Sequence, residues 1–351
     1  MPPAPPQREP AGPSAHRRRW LHRHGSTLVL PAAILALAVA TGLAFALTGY
    51  VRPPACLSYA DRQLAAQRSR SFEARPSLVP RLDHVVLIIM ENKECSQVVG
   101  SPDAPFFNRI ARRGALLRDL YATTHPSLPN YLALTSGSTL GAKDCSDCTF
   151  SAHNLIDELE SAGVSWRAYM QGMPSPCFRG ERSGAYVLRH DPFMLYADIA
   201  HNHARCARVV PLTELWTDIG AGRLPRFAWI TPNLCNDMHN CGVRPGDQFL
   251  ARVIPPLLRV IGPRGLIVVT WDEGLTKRHC CKLARGGNIP TLLVGGAVRP
   301  GARPLLTYDG YSILRTIEEG LDVRPLGGAT CACTLALTAA LKPAKPPGLR
   351  H

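Results

Sequence analysis

Apolar runs alternate with amphipathic stretches along most of the chain. His84-Val-Val-Leu-Ile-Ile-Met90 and Gly265-Leu-Ile-Val-Val-Thr270 are continuous apolar runs rich in β-branched residues, the pattern of strands covered on both faces. Trp166–Met170, Arg226–Ile230 and Pro290–Val294 are shorter runs of the same kind, and another strand-like run leads into Tyr121. Between them, Asp103–Arg113, Asn154–Ala162, Asp247–Val260 and Ser312–Gly320 repeat their apolar residues at helical spacing. Strands alternating with helices predict an α/β fold, with a largely parallel central sheet and helices on both faces, over residues 82–335. No internal repeat is visible.

The ends of the chain follow other patterns. Leu28 to Leu47 are twenty residues without a charge, long enough to span a bilayer as one helix. Arg17, Arg18, Arg19 and Arg23 precede this run and only Arg52 follows closely, which places the N-terminus in the cytoplasm and the rest outside. The expected organisation is therefore a disordered cytoplasmic leader (1–26), a transmembrane signal anchor (27–50), a stalk (51–81), the large domain and a Pro- and Lys-rich disordered tail (336–351). A cleaved export signal, giving a secreted protein, is the alternative, because Arg17-Arg18-Arg19-Trp20-Leu21 faintly resembles a twin-arginine motif.

Cysteine usage and charge bear on the compartment and the partner. All twelve cysteines lie after the apolar run, which suits disulfides in an extracytoplasmic domain. A Cys235–Cys241 bond would hold Asn236, Asp237 and His239 in one orientation, whereas Cys280 and Cys281 are expected to bond to different partners. Cys145-Ser-Asp-Cys148 has the spacing of half a zinc site, but no second CxxC lies at zinc-ribbon distance. Of the net charge of +14, the five Arg and one Glu of residues 1–26 account for +4, leaving +10 on the remainder. A basic exported domain favours phosphate-bearing substrates or an anionic envelope surface. No basic run is interleaved with aromatics, so nucleic acid is not an expected partner.

Candidate chemistry centres on Tyr121-Ala-Thr-Thr-His-Pro-Ser-Leu-Pro-Asn-Tyr131, which gathers hydroxyls, an imidazole and a carboxamide. Pro126 and Pro129 bias His125 and Leu128 away from helix, predicting Ser127 on a fixed, exposed corner before a helix that begins near Asn130. Taken alone, such a cluster is equally an ordinary N-capping turn. The two long apolar runs, however, stop at Glu91-Asn92 and at Trp271-Asp272-Glu273-Gly274. Carboxyl ends of parallel strands converge on one sheet edge, so three carboxylates, an amide and a hydroxyl are predicted to meet there. Oxygen-rich sets suit hard divalent cations or zinc, and a metal beside a hydroxyl lowers its pKa.

Met90-Glu91-Asn92, the Thr-His-Pro-Ser-Leu-Pro-Asn turn, Thr231-Pro-Asn-Leu-Cys-Asn-Asp-Met-His239 and Trp271-Asp272-Glu273-Gly274 together resemble the phosphoesterase family of bacterial acid phosphatases and phospholipases C, within the alkaline phosphatase superfamily. The likeness runs from about His84 to Leu326 and favours the shorter, secreted acid-phosphatase branch. It implies an alkaline-phosphatase-like fold and hydrolysis of a phosphate-ester substrate through a phospho-enzyme, with one or two divalent metal ions. By the match of motifs, Glu91, Asn92, Asp272 and Glu273 would bind metal. Ser127, which precedes Leu-Pro-Asn, would be the nucleophile, with Thr124 as its rival. Asp237 and His239 are candidates for metal or phosphate binding and for protonating the leaving oxygen, and His125 and Asn130 for holding the phosphoryl group. The chain departs from the family at Asn288 in Gly286-Gly-Asn-Ile-Pro290 and at Gly310 in Asp309-Gly-Tyr-Ser312, where a His is frequent. A phospholipase C-like phosphodiesterase and a catalytically weakened envelope-binding module are the alternatives. Residues 144–203, with Cys177, Tyr186, Arg189 and His190, are expected to shape the pocket.

Overall fold

The structure, a computed structural model, describes residues 77–145, 147–280 and 284–344. The leader, the predicted anchor and nearly all of the predicted stalk lie outside these residues. Among the described residues no helix is long and apolar enough to cross a membrane.

One sheet organises the domain. Its strands are β1 (His84–Met90), β2 (Ala115–Tyr121), β3 (Trp166–Met170), β4 (Val209–Pro211), β5 (Phe227–Thr231), β6 (Gly265–Trp271), β7 (Asn288–Val294) and β8 (Tyr308–Asp309). They are arranged in the order β8-β2-β7-β6-β1-β5-β3-β4. Every pairing is parallel except those of β7, which runs antiparallel to both β2 and β6. β1 lies at the centre, with Leu87 opposite Trp229 on one side and Val268 on the other. All seven residues of β6 and the last six of β1 are buried. Each large apolar side chain so covered contributes about 1.5–3 kcal/mol, so this central register is strongly specified. The register also pairs Met90 with Trp271, so the residues that follow, Glu91 and Asp272, leave the sheet as neighbours.

Helices α1 (Pro105–Ala111), α2 (Ser127–Ser136), α3 (Leu155–Ser161), α4 (Thr213–Gly220), α5 (Val243–Val260) and α6 (Gly310–Leu321) cover the sheet. α5 packs on α1 through an apolar stripe at helical spacing that includes Phe249, Leu250, Val253, Ile254 and Leu257, and α6 packs on α2. α1 begins at Pro105, whose missing N–H is no loss at a first helical position. Ala104 has no side chain to cap the next amides. Asp247 of α5 does so instead, accepting from Phe106 at 2.9 Å and Phe107 at 2.7 Å.

The predicted strands and helices all form, with ends shifted by a few residues. The largest change of boundary is in α5, which begins at Val243 rather than Asp247. Packing also extends past the predicted domain limits: Val79 is buried before it, and Leu337, Ala340 and Leu341 after it. The first part of the predicted tail is thus held down, with Leu341 bridging to Val298. Cysteines pair as Cys145–Cys148, Cys177–Cys206, Cys235–Cys241 and Cys331–Cys333. The first of these replaces the zinc alternative with a disulfide. Disulfides persist in oxidising compartments, in keeping with an extracytoplasmic domain. The expectation for Cys280 and Cys281 falls on a pair of which Cys281 lies outside the described residues.

Candidate active site

The sharpest correction concerns Ser127. It is buried, and it opens α2 rather than standing on an exposed corner ahead of a helix at Asn130. First-turn amides of a helix have no partner inside it. Pro126 at the N-cap and Pro129 in the first turn therefore cost the helix no hydrogen bond, and the bias that proline exerts on Leu128 is overridden. The Leu128 amide donates to Asp144 Oδ1 at 3.1 Å.

Ser127 Oγ lies 3.3 Å from Glu91 Oε2 and 3.4 Å from Glu273 Oε1. Glu91 also accepts from Tyr131 Oη at 2.5 Å and from Asn92 Nδ2 at 2.8 Å. Asn92 takes the left-handed backbone at φ 52°, which Asn tolerates better than most residues. This conformation lets its amide donate to Asp272 Oδ1 at 3.0 Å. Asp237 joins from the loop after β5: its carbonyl accepts from the Glu91 amide at 2.8 Å, and its Oδ1 caps the His239 amide at 2.7 Å. Glu91, Asp272 and Glu273 from strand ends and Asp237 from the loop after β5 thus form one cluster beside the Ser127 hydroxyl, and all four are buried.

Electrostatics follow from this crowding. Burial pushes Glu91 well above the usual carboxylate range, and the charges of Asp272 and Asp237 add to the effect. Burial likewise raises Asp237 to about 8 and Asp272 to about 7, with Asp272 and Glu273 respectively adding repulsion. Glu273 rises to about 7 through burial and the charge of Asp144. Half-buried Lys93 does not neutralise the group directly, because its Nζ donates to the carbonyls of Asn92 at 3.0 Å and Met238 at 2.7 Å. Desolvation lowers its pKa despite the nearby carboxylates. Among the described residues, the buried Asp237 Oδ2 and Asp272 Oδ2 have no hydrogen-bond partner. Uncompensated buried anions and free oxygen lone pairs are the setting that a hard divalent cation fits. Glu91, Asn92, Asp272 and Glu273 could hold one. As the side chains stand, no three His, Cys, Asp or Glu among the described residues already form a coordination shell.

His190 also belongs to this site, more deeply than its predicted part in shaping a pocket. Its ring stacks on Tyr131 with centroids 5.5 Å apart, and Nδ1 lies 3.4 Å from Glu91 Oε1 and 3.8 Å from Asp237 Oδ2. Burial holds its pKa well below the ordinary imidazole value, so the ring is neutral, and Nε2 has no hydrogen-bond partner among the described residues. No spacing or strand-end signal marks His190 in the sequence. Tyr131 was more legible, since it follows Ser127 by one helical turn and so shares its face.

The other predicted residues divide. His125 Nδ1 meets Glu273 Oε2 at 2.5 Å and Nε2 meets the Thr276 carbonyl at 3.0 Å. A carbonyl only accepts, so Nε2 carries a proton, and Nδ1 shares another with Glu273. Asn130 turns its carboxamide into the turn: Oδ1 accepts from the Thr124 amide at 2.9 Å, and Nδ2 donates to the carbonyls of Thr124 at 2.9 Å and Pro126 at 3.0 Å. Its polar atoms are spent holding the turn. Thr124 Oγ1 donates to the His125 carbonyl at 3.1 Å, away from the carboxylates. His239 is exposed, bonds Asn240 Oδ1 at 2.6 Å through Nδ1, and has its ring 6.1 Å from that of His190. At the two departures from the family pattern, Asn288 Nδ2 donates to the carbonyls of Arg118 at 2.9 Å and Leu120 at 3.1 Å. At Gly310, a Cβ would meet Thr123 Oγ1 at 3.0 Å. Neither position supplies an imidazole.

A sequence profile of the phosphoesterase family matches residues 100–324. The chain belongs to the phosphoesterase family. It is therefore a hydrolase of phosphate esters. Among curated relatives it is 31% identical over 261 residues to the phosphatidylinositol-3-phosphatase of Mycobacterium tuberculosis, covering 73% of this chain and 82% of that protein. It is 28% identical to a probable acid phosphatase of Kluyveromyces lactis and 29% identical to an acid phosphatase of Aspergillus fumigatus, covering 69% and 64% of this chain. The matched region spans 58% and 52% of the length of those two fungal proteins. In fold the chain is similar to an alkaline phosphatase superfamily protein from Vibrio parahaemolyticus, with a TM-score of 0.54 at 13% identity, covering 82% of this chain and 78% of that one.

Proposed function

We infer that this domain is an acid-phosphatase-like phosphomonoesterase in which Ser127 is the nucleophile. The observation that carries the reading is Ser127 Oγ at the start of α2, between Glu91 and Glu273. Those carboxylates are positioned to take the hydroxyl proton. The oxygen then attacks phosphorus in line, a P–O bond to Ser127 forms, and the bond to the leaving alcohol breaks. Water completes the cycle, restoring the serine hydroxyl and releasing inorganic phosphate.

Glu91, Asn92, Asp272 and Glu273 would hold a divalent cation, with Asp237 beside them. When bound, such an ion lowers the pKa of an adjacent hydroxyl and offsets charge on phosphoryl oxygens. The protein's own part is to hold these ligands. Tyr131 and Asn92 fix Glu91 through hydrogen bonds, and the Asn92 amide fixes Asp272. His125 orients Glu273. Neutral His190 stands beside Glu91, with Nδ1 3.4 Å from Oε1. Asn288 and Gly310, where histidines are frequent in the family, favour one cation over two.

Rapid acid quench with labelled p-nitrophenyl phosphate tests the nucleophile. One phosphate is expected on the tryptic fragment that contains Thr123, Thr124 and Ser127. Ser127→Ala is expected to abolish label and turnover, a loss of several orders of magnitude, whereas Thr124→Ala keeps both within about 10- to 1000-fold. Label surviving in Ser127→Ala but not in Thr124→Ala would move the role to Thr124. Full turnover without label in either variant would mean direct attack by water.

A further inference from the structure

The loop after Glu273 folds back over the turn that carries Ser127, and backbone hydrogen bonds pin it there. Gly286 donates to the Ala122 carbonyl at 3.0 Å and Arg285 to the Thr123 carbonyl at 3.0 Å, while the Gly274 amide reaches the Gly286 carbonyl at 2.6 Å. The approach is so close that a Cβ on Gly286 would lie 2.2 Å from the Thr124 carbonyl oxygen. Buried Glu94 holds the other limb of the loop, accepting from Thr276 N at 2.9 Å and Thr276 Oγ1 at 2.7 Å. Between the pinned limbs is an open cleft of about 410 Å³ lined by Thr124, His125, Lys277, His279 and Arg285. Its lining holds two permanent cations and two imidazoles and no carboxylate. Lys277 and Arg285 are exposed, and among the described residues neither forms an ion pair.

The cleft and the carboxylate cluster share one side chain. His125 turns Nδ1 to Glu273 and Nε2 to Thr276, so one edge of its ring faces the reacting group and the other the basic loop. Resting on the phosphatase reading above, we propose that Lys277 and Arg285 form a second anion subsite, which selects phosphomonoesters whose leaving group carries a further phosphate. With the transferred phosphoryl at Ser127, the leaving alcohol projects past His125, and a second phosphate on it reaches cations that are otherwise unpaired. Arg and Lys bind phosphate through charge-assisted hydrogen bonds. Both side chains are exposed, so their contribution is bounded by solvent screening and falls with salt. The second phosphate can be a free monoester or the diester of a lipid headgroup. The subsite reads the chemistry common to both.

The test uses the full chain supplied with divalent cation, and compares kcat/KM on inositol 3-phosphate, inositol 1,3-bisphosphate and monomeric short-chain phosphatidylinositol 3-phosphate. The second phosphate is expected to raise kcat/KM about 10-fold, mainly through KM, and the Lys277→Gln/Arg285→Gln double variant to bring the ratio close to one. Preference for the lipid alone would assign the subsite to the diester, and equal preference for the lipid and inositol 1,3-bisphosphate to either source. Retention of the ratio in the double variant, or an equal loss on all three substrates, would overturn the proposal. Calorimetry of inositol 1,3-bisphosphate binding to Ser127→Ala, with and without the two substitutions, gives a readout that needs no turnover. Wild-type protein that binds the bisphosphate through Lys277 and Arg285 but hydrolyses nothing would sink the phosphatase reading and leave the subsite standing. No difference in affinity on removing both charges would sink the subsite.

Discussion

Two places in this domain gather several acidic side chains, and they treat the charge in opposite ways. On the outer side of the domain, Arg205 pairs with Asp157 at 2.9 Å, with Glu160 at 2.9 Å and with Asp198. One guanidinium fork serves three partly exposed carboxylates, and solvent takes up the remaining charge. At the strand ends, Glu91, Asp237, Asp272 and Glu273 are all buried, and the only ionic partners among the described residues are His125 and His190. Of these, burial keeps His190 neutral. Burying like charges without compensation costs several kcal/mol per ion unless the groups take up protons or a cation. The first cluster serves packing of helix ends. The second holds acidic groups out of solvent beside the Ser127 hydroxyl.

The contrast is broken most severely by deleting members of the buried cluster. Asp272→Ala and Glu91→Ala remove oxygens from adjacent strand ends, so each is expected to lower bound divalent metal and phosphatase activity together, by at least about 100-fold in activity. Metal analysis of each purified variant beside its turnover of p-nitrophenyl phosphate checks this. Full metal occupancy with wild-type turnover in either one would dismantle the proposed assembly.

Stability should respond with opposite signs in the two clusters. Arg205→Met leaves three carboxylates facing one another and is expected to cost about 1 kcal/mol. Asp237→Asn removes a buried acid whose pKa in the fold is raised to about 8. A raised acid stabilises the fold only while protonated, and that contribution is lost as pH rises from the ordinary carboxylate range through about 8. The Asn variant of the metal-free protein should therefore gain on the order of 1 kcal/mol at pH 9 and little at pH 4. Urea unfolding of both variants in chelator, at the two pH values, gives the comparison. Loss of stability in Asp237→Asn at pH 9 would mean that the cluster is balanced without a cation.

A smaller effect comes from Glu318 in α6, a buried acid far simpler than either cluster. Its Oε1 accepts from the Leu326 amide at 2.8 Å, while Oε2 is buried without a partner. Burial raises its pKa well above the usual range. By the same sign argument, Glu318→Gln keeps the acceptor and should raise Tm at pH 8 by about 2 °C, with no gain at pH 4. Thermal unfolding at the two pH values measures this, and a lower Tm at pH 8 would contradict it.

Much of this arrangement was legible in the residues themselves. The β-branched runs at 84–90 and 265–270 announced central strands, and their acidic ends announced the cluster, because strand polarity in a parallel sheet leaves little choice of edge. Asp237 was readable as a candidate from its bracketing cysteines, although not as a buried member of the group. What could not be read depends on contacts across long separations. His190 reaches Glu91 from a segment of short 3₁₀ turns that has no periodicity of its own. The burial of Ser127 depends on α2 packing against α6, α3 and the 3₁₀ turns at 188–195, which overrides the local preference that its prolines express. Asn130 and Thr124 looked chemical because they are polar and close in sequence to Ser127. Their atoms are consumed by the turn that presents it.

The capping of α1 by Asp247 has a consequence for the order in which the chain becomes a protein. The amides of Phe106 and Phe107 wait for a carboxylate that lies 141 and 140 residues later. β1 waits in the same way for β5 and β6 to flank it. Contacts of such sequence separation form slowly and late. A chain still being synthesised therefore carries Ser127 long before the carboxylates that surround it, and the cluster is complete only once residues near Glu273 have arrived.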